Sequence, residues 1–312
     1  MAEVKKKKST NIKGTVKQKR RSPVKSLSRL FIDSAYGAAS EVEAKYILLL
    51  ADVILDRSIL TELSKSKEII FVTKNKQSLL ETLNTEKNIL QIPDVEFSRV
   101  GIAKVATMKA LSTGLLSVDD KVVVLTGAAG LEHLDSLLVI DIGKEFEILT
   151  SSNVISFTEN LHPEVFEVVM NLAIELGSLG REGKPAGTIF VIGDDERVMQ
   201  LSSQMIINPF KGYSEEERNI ISPELRDTVK EFSAMDGAFV IREDGVLLAA
   251  GRYLSAAQDK QVLPMGLGSR HVAAAGITSV TDATAIVVSE STGDVRIFKG
   301  GNIFMEIEKP VK

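Results

Sequence analysis

The stretch "GLGSRH", residues 266–271, sets two glycines ahead of Ser269, Arg270 and His271, just before an alanine-rich segment. Ser269 is a candidate cap for a helix beginning near Arg270. The free N–H groups and the dipole of such a helix start favour an anion. Gly266 and Gly268 allow close backbone approach. The Arg270 guanidinium is a fork of donors suited to phosphate oxygens, and His271 adds another donor or a metal ligand. Together they suit a phosphate cradle. In "MDGAF", Asp236 stands at the start of an apolar run. A carboxylate there can bind a hard divalent cation or orient a hydroxyl, and Gly237 and Ala238 leave room for a flat ring or a sugar. In "SESTG", residues 289–293, Ser289 and Glu290 sit at a strand-to-turn corner where they can meet phosphate or metal.

Taken singly, each stretch also describes something plainer. The first fits a Gly-rich turn with a surface Arg and a half-buried His, the second a strand-edge Asp, and the third a simple turn. What decides between these readings is the set of elements that must bring the three stretches together.

From about residue 27 the pattern alternates between helix and strand. "LFIDSAYGAASEVEAKYILLLADVILDRSILTEL" reads as one or two helices. "EIIFVT", "KVVVLTG" and "LLVIDIG" are short apolar runs that read as buried strands, and "NILQI" is another candidate. "RVGIAKVATMKALSTGLL" reads as a helix ending near Gly114. Such alternation predicts a mainly parallel sheet covered by helices. Beyond residue 155, Pro163 suits a first helical turn, "GTIFVIGD" a strand, and "ISPELRDTVKEFSAM" an amphipathic helix. "DGAFVIREDGVLLAAG" predicts a hairpin, and the strands around "STGD" repeat that habit. The expected fold is therefore α/β with two domains, each a mainly parallel or mixed sheet flanked by helices: residues 27–155 and residues 156–312. No internal repeat spans a domain, so the chain carries one copy of its site. The loop "TGAAG", with Gly127 and Gly130 at a strand end, is placed either to bind a regulatory ligand or to serve assembly.

Composition narrows the class. The chain has 312 residues, 44% apolar and 26% charged, with no Trp and no Cys. Disulfides, cysteine zinc sites and thiol catalysis are excluded, and a reducing cytoplasm is the expected location. No apolar run reaches membrane-spanning length. Residues 1–25 hold ten Lys or Arg and one acid, so the net charge of −4 leaves −13 for the remainder. Residues 1–26 are expected to be a disordered basic tail, either solubilising or in weak contact with nucleic acid or anionic lipid.

The order "DGA", "LAAGRYL", "GLGSRH" and "SESTG", within about sixty residues, resembles the diadenylate cyclase family. The similarity runs from about residue 160 to 308 and includes "GKPAGTIFVIGD". The N-terminal half is similar to the small C-terminal domain of pyruvate kinase, a pairing that resembles the archaeal branch of the family. The resemblance implies that two ATP are joined into cyclic di-AMP with release of two pyrophosphates, at a face-to-face two-fold pair of chains. It implies Mn2+ or Mg2+ as the metal. Asp236 would lie near that metal and activate the ribose hydroxyl, and His271 would lie near it too. Gly237, Ala238 and Leu254 would line the ribose and adenine pocket. Gly268, Ser269, Arg270 and His271 would hold the triphosphate, with Ser289 and Glu290 completing the phosphate or metal side. One position departs from the family's Arg-His-Arg motif: Val272 stands where the last arginine is expected. Either another cation supplies the charge, with Arg252 and Lys260 as candidates, or activity is weaker, or cyclisation is lost. The alternative is a chain that binds a nucleotide or cyclic dinucleotide without catalysis.

Overall fold

The structure is a computed structural model that describes residues 27–83, 88–128, 130–145, 162–180, 183–255 and 266–309. The basic stretch 1–26, Lys260 and the junction near residue 155 lie outside the described residues.

The first sheet has the order β3-β2-β1-β4-β5 among the described residues, with β1 at Tyr46–Leu50, β2 at Ile69–Thr73, β3 at Ile89–Gln91, β4 at Lys121–Thr126 and β5 at Ser136–Asp141. The first four run parallel and β5 closes the edge antiparallel to β4. Helix α1 (Leu27–Val42) packs on β1 and β4, and Ile32 and Ala35 on it are buried. The helical reading of 30–63 is corrected here. The run "YILLL" is the central strand, flanked on both sides by parallel partners. A strand buried on both faces carries no alternation, so its sequence looks the same as a buried helix turn. The chain leaves α1 through Glu43, whose φ of +56° lies in the left-handed region. Helices α2 (Arg57–Leu63), α3 (Lys76–Leu83), α4 (Arg99–Ser112) and α5 (Ile142–Glu145) complete this half. The Oγ of Ser98 accepts from the Gly101 N–H and caps α4.

The second sheet is mixed, with order β12-β11-β10-β6-β8-β9-β7. Its strands are β6 (Thr188–Ile192), β7 (Ser202–Gln204), β8 (Ala238–Ile241), β9 (Leu247–Leu254), β10 (Thr284–Val288), β11 (Val295–Lys299) and β12 (Asn302–Ile307). Among the described residues only β6 and β8 pair in parallel; the other neighbours are antiparallel, and β8 and β9 form the expected hairpin. Strand period two splits the side chains between two faces. Phe190, Ile192, Ile286 and Val288 join one cluster with helix α6 (Pro163–Leu179). Ile189, Val191, Ala285 and Val287 face the other way, onto Ala274, Ala275 and Ile277 of helix α9 (Ser269–Val280). The alanines of α9 keep its backbone close to the sheet. Helices α7 (Asp195–Gln200) and α8 (Pro223–Phe232) lie between β6 and β8 in sequence.

The two sheets share packing. Helix α4 contacts α6 and β12. Lys109 Nζ lies 2.5 Å from Glu167 Oε1, and Lys104 Nζ donates to the Glu306 carbonyl at 2.9 Å. Among the described residues no helix is long and apolar enough to cross a membrane.

Candidate active site

Topology brings the three stretches to one edge. Strands β6 and β8 are parallel, with Ile189 opposite Ala238, so Gly187 and Asp236 both stand just ahead of their strands at the same end. Strand β10 runs the other way, with Val288 opposite Thr188, so Ser289 and Glu290 leave it at that end too. Strand β11 begins there, since Val295 pairs with Val288. Helix α9 starts above this edge at Ser269.

The result is a cleft of about 350 Å3, lined by residues 266–271 and 288–292 together with Arg296. At its centre, Arg270 Nη1 lies 2.9 Å from Glu290 Oε2, and Nη2 lies 3.6 Å from Asp236 Oδ1. One guanidinium thus joins residues from all three stretches. Asp236 is 82% exposed and Glu290 59%, whereas Arg270 is 30% exposed. In water-facing geometry of this kind the ion pairs are weak and can open to a ligand.

Helix α9 begins differently from expectation. Its N-cap is Gly268, and Ser269 occupies the first helical position with no side-chain capping bond. The N–H groups of His271 and Val272 already donate to the Gly268 carbonyl. The amides of Ser269 and Arg270 precede these bonds and, as at any helix start, have no acceptor within the helix. A glycine cap leaves the approach to those amides open, which suits an anion better than a serine side chain folded over them.

His271 is only 5% exposed. Its Nε2 lies 3.1 Å from Arg296 Nη1, its Nδ1 is buried without a hydrogen-bond partner, and its ring lies 6.1 Å from that of Phe298. Burial, then the Arg296 and Arg270 charges, push the ring down to about 4, so it is neutral near pH 7. A guanidinium stands at Nε2 and Nδ1 is buried, so neither ring nitrogen of His271 is open to a metal ion in this arrangement. Among the described residues no group of three or more His, Asp or Glu gathers to hold a cation. Asp236, exposed at the rim, does fit an ion that arrives on a triphosphate, because Mg2+ is commonly held by one or two carboxylates together with substrate phosphates.

Other expected residues are placed as follows. Gly237 has φ +103°, and a Cβ there would come within 2.6 Å of the Gly251 carbonyl carbon, so only glycine lets Asp236 turn out beside β9. Ala238 and Leu254 are buried together in the cluster beneath α9. The exposed ring beside them is Tyr253, 58% accessible. Ser289 is buried, with its Oγ 3.3 Å from that of Ser291. Arg252 turns away from the cleft: its Nη2 donates to the Met199 and Ser202 carbonyls, both at 2.6 Å.

Two participants are not evident from the sequence. Gly187 is one: a Cβ on it would meet Arg270 Nη1 at 3.0 Å and the Glu290 Cβ at 2.7 Å. Arg296 is the other. Its Nη2 pairs with Glu306 and lies 3.4 Å from Asp294 Oδ2. The signal for Arg296 is a charged residue inside the apolar strand "VRIFK", opposite Glu306. A larger groove of about 570 Å3, between Phe210, Tyr213 and Phe232, shares no lining residue with the cleft.

Comparison with known proteins follows the same division of the chain. The family described as "DisA bacterial checkpoint controller nucleotide-binding" matches residues 175–303, and "Probable sensor domain DacZ_P" matches residues 27–150. A diadenylate cyclase of Methanocaldococcus jannaschii is 34% identical over 248 residues, covering 78% of this chain and 79% of that protein. One of Haloferax volcanii is 44% identical over 146 residues, covering 47% of this chain and 53% of that protein. The crystal structure of DacA from Staphylococcus aureus aligns with 45% of this chain and 84% of its own, at 24% identity and a TM-score of 0.31.

Proposed function

The chain belongs to the diadenylate cyclase family, and from that premise we propose that it joins two ATP into cyclic di-AMP at the cleft below α9. Each ribose 3′-oxygen forms a bond to the α-phosphorus of the other ATP. The bond from that phosphorus to its bridging oxygen breaks, pyrophosphate leaves, and the hydroxyl proton is given up. The observation that carries this reading is the Arg270 guanidinium, which links Asp236 and Glu290 at the mouth of a helix start.

Roles follow from chemistry and position. The Ser269 and Arg270 amides and the Arg270 side chain hold the triphosphate, where fixed donors are worth most. An arriving triphosphate competes with the two carboxylates for Arg270 and frees Asp236. Asp236 then accepts a hydrogen bond from the 3′-hydroxyl and takes up its proton. Asp236 is also the residue that would hold the divalent cation, Mn2+ or Mg2+, which when bound supplies charge neutralisation to the leaving group. Tyr253, an exposed ring next to Leu254 on β9, is the candidate to meet a base. Each chain presents one such cleft, so two chains must face each other across a two-fold axis to put each hydroxyl in line with the opposite phosphate. A reaction that consumes ATP fits a cytoplasmic location.

The test is incubation of the purified chain with ATP and either Mg2+ or Mn2+, with products identified by mass spectrometry and Asp236→Asn run alongside. Cyclic di-AMP from the parent chain and a loss of at least about a hundredfold in the variant are expected. Retained ATP binding with no product under either metal would replace this reading with that of a nucleotide sensor.

A further inference from the structure

Val272 leaves the start of α9 one cation short of the family's motif, and the structure holds a cation nearby that comes from a different element. Arg296 rises from β11 into the cleft wall, 12% exposed, with Nη1 3.1 Å from His271 Nε2. Its Nη2 is clamped by Glu306 on β12 and approached by Asp294 Oδ2. Arg252, the other arginine considered for this task, is committed to the carbonyls of Met199 and Ser202.

The contact has a direction. Guanidinium has donors and no acceptor, so Nη1 donates and Nε2 must accept. An accepting Nε2 in a neutral imidazole leaves the proton on Nδ1. Nδ1 is the buried atom that has no partner. A buried donor without an acceptor is unfavourable, so the tautomer is held by the Arg296 contact at Nε2 and not by any bond at Nδ1. The groups around the ring agree with a neutral form: Arg270 on its own helix and Arg296 on β11 oppose a positive ring, while Glu290 is paired with Arg270, and Asp294 and Glu306 with Arg296.

We propose that Arg296 is a positioning residue, which fixes the His271 ring as its neutral Nδ1–H tautomer in the wall of the cleft. Arg296 acts through the ring. Its own charge is shared with two carboxylates, so it does not simply replace the absent arginine as a free phosphate clamp. The inference rests on the cyclase reading for the effect on ATP, and on geometry alone for the state of the ring.

The experiment reads both. The chain has three histidines, so 15N-edited NMR of the ring nitrogens of the full chain, at neutral pH, resolves His271 once His271→Gln assigns its signals. The expected spectrum has Nδ1 protonated and Nε2 bare. In Arg296→Met the ring is expected to shift toward the Nε2–H form, and the KM for ATP to rise roughly tenfold with kcat within about twofold. Arg296→Lys, which keeps a donor and a charge, is expected to restore most of the Nδ1–H form and of the KM. If Arg296→Met does not fold, Glu306→Gln loosens the clamp from its far side and is expected to move the same signals in the same direction. An Nε2–H ring in the parent chain, or a folded Arg296→Met with an unchanged spectrum, overturns the inference. The ring signals are independent of turnover: a chain that makes no cyclic di-AMP still reports its tautomer, and an active chain with the wrong tautomer leaves the cyclase reading standing.

Discussion

The guanidinium of Arg270 rests against the backbone of Gly187, so closely that a Cβ there would fall 3.0 Å from Nη1 and 3.1 Å from Cζ. Gly187 is therefore the floor on which the central cation lies. Gly187→Ala needs no unusual φ, but it pushes the flexible Arg270 guanidinium off its position and, because the Glu290 Cβ would lie 2.7 Å away and is fixed to its backbone, it displaces the corner after β10 slightly as well. The expected outcome is a folded protein with kcat/KM for ATP reduced roughly tenfold, about 1.4 kcal/mol of transition-state stabilisation. Steady-state kinetics beside a melting curve within a few degrees of the parent would check it; a large loss of stability would show that Gly187 matters to packing instead.

His271 makes stability depend on pH in a defined window. Burial first, then the charges of Arg296 and Arg270, hold the folded ring at about 4, against an ordinary value of 6.5. Between those values the unfolded chain binds the extra proton. Stability contributed by the neutral ring is therefore present above pH 6.5 and is lost as pH falls toward 4, by on the order of 3 kcal/mol over the window. Denaturant midpoints measured from pH 7 down to 4.5 should fall more steeply for the parent chain than for His271→Gln. Parallel curves would mean that the ring is already protonated when folded.

Arg252 is expected to be structural. It holds the end of α7 and the start of β7 through the Met199 and Ser202 carbonyls, and its Nε donates to Ser202 Oγ at 3.0 Å. Arg252→Met removes these charged donors from partly buried acceptors. A loss of about 2 kcal/mol in stability is expected, read as a lower denaturant midpoint, with the KM for ATP within about twofold. A KM that rises while stability stays put would give Arg252 a direct part in binding.

Much of this arrangement is legible in the sequence, and the exceptions have physical causes. The Asp236, Arg270 and Glu290 stretches announce themselves by residue type, and the strands "GTIFVI", "GAFVI" and "TAIVV" that align them read clearly as apolar β runs. What the linear order does not carry is the polarity of β6, β8 and β10, which is what puts Gly187, Asp236 and Glu290 at one edge. Gly187 is invisible because its contribution is the absence of a side chain. The strand "YILLL" looks helical because both of its faces are covered. Ser269 looks like a cap because serine favours that position, whereas here the preceding glycine takes it. Arg296 is hidden because it lies 24 positions beyond the Val272 gap in the chain and reaches the same wall only through β11.

The contact between α4 and α6 has a thermodynamic consequence. Buried residues from both sheets, among them Met108 on α4 and Phe166 on α6, fall in one continuous apolar cluster. Neither half can lose its structure without exposing surface that belongs to the other, so the chain is expected to melt in a single cooperative endotherm, with calorimetric and van't Hoff enthalpies in agreement. Phe166→Ala, which opens a cavity at that seam at a cost of about 3–5 kcal/mol, should split the endotherm in two. The half that carries the cleft and the half that faces it from the N-terminal side would then become, for the first time, separable in temperature.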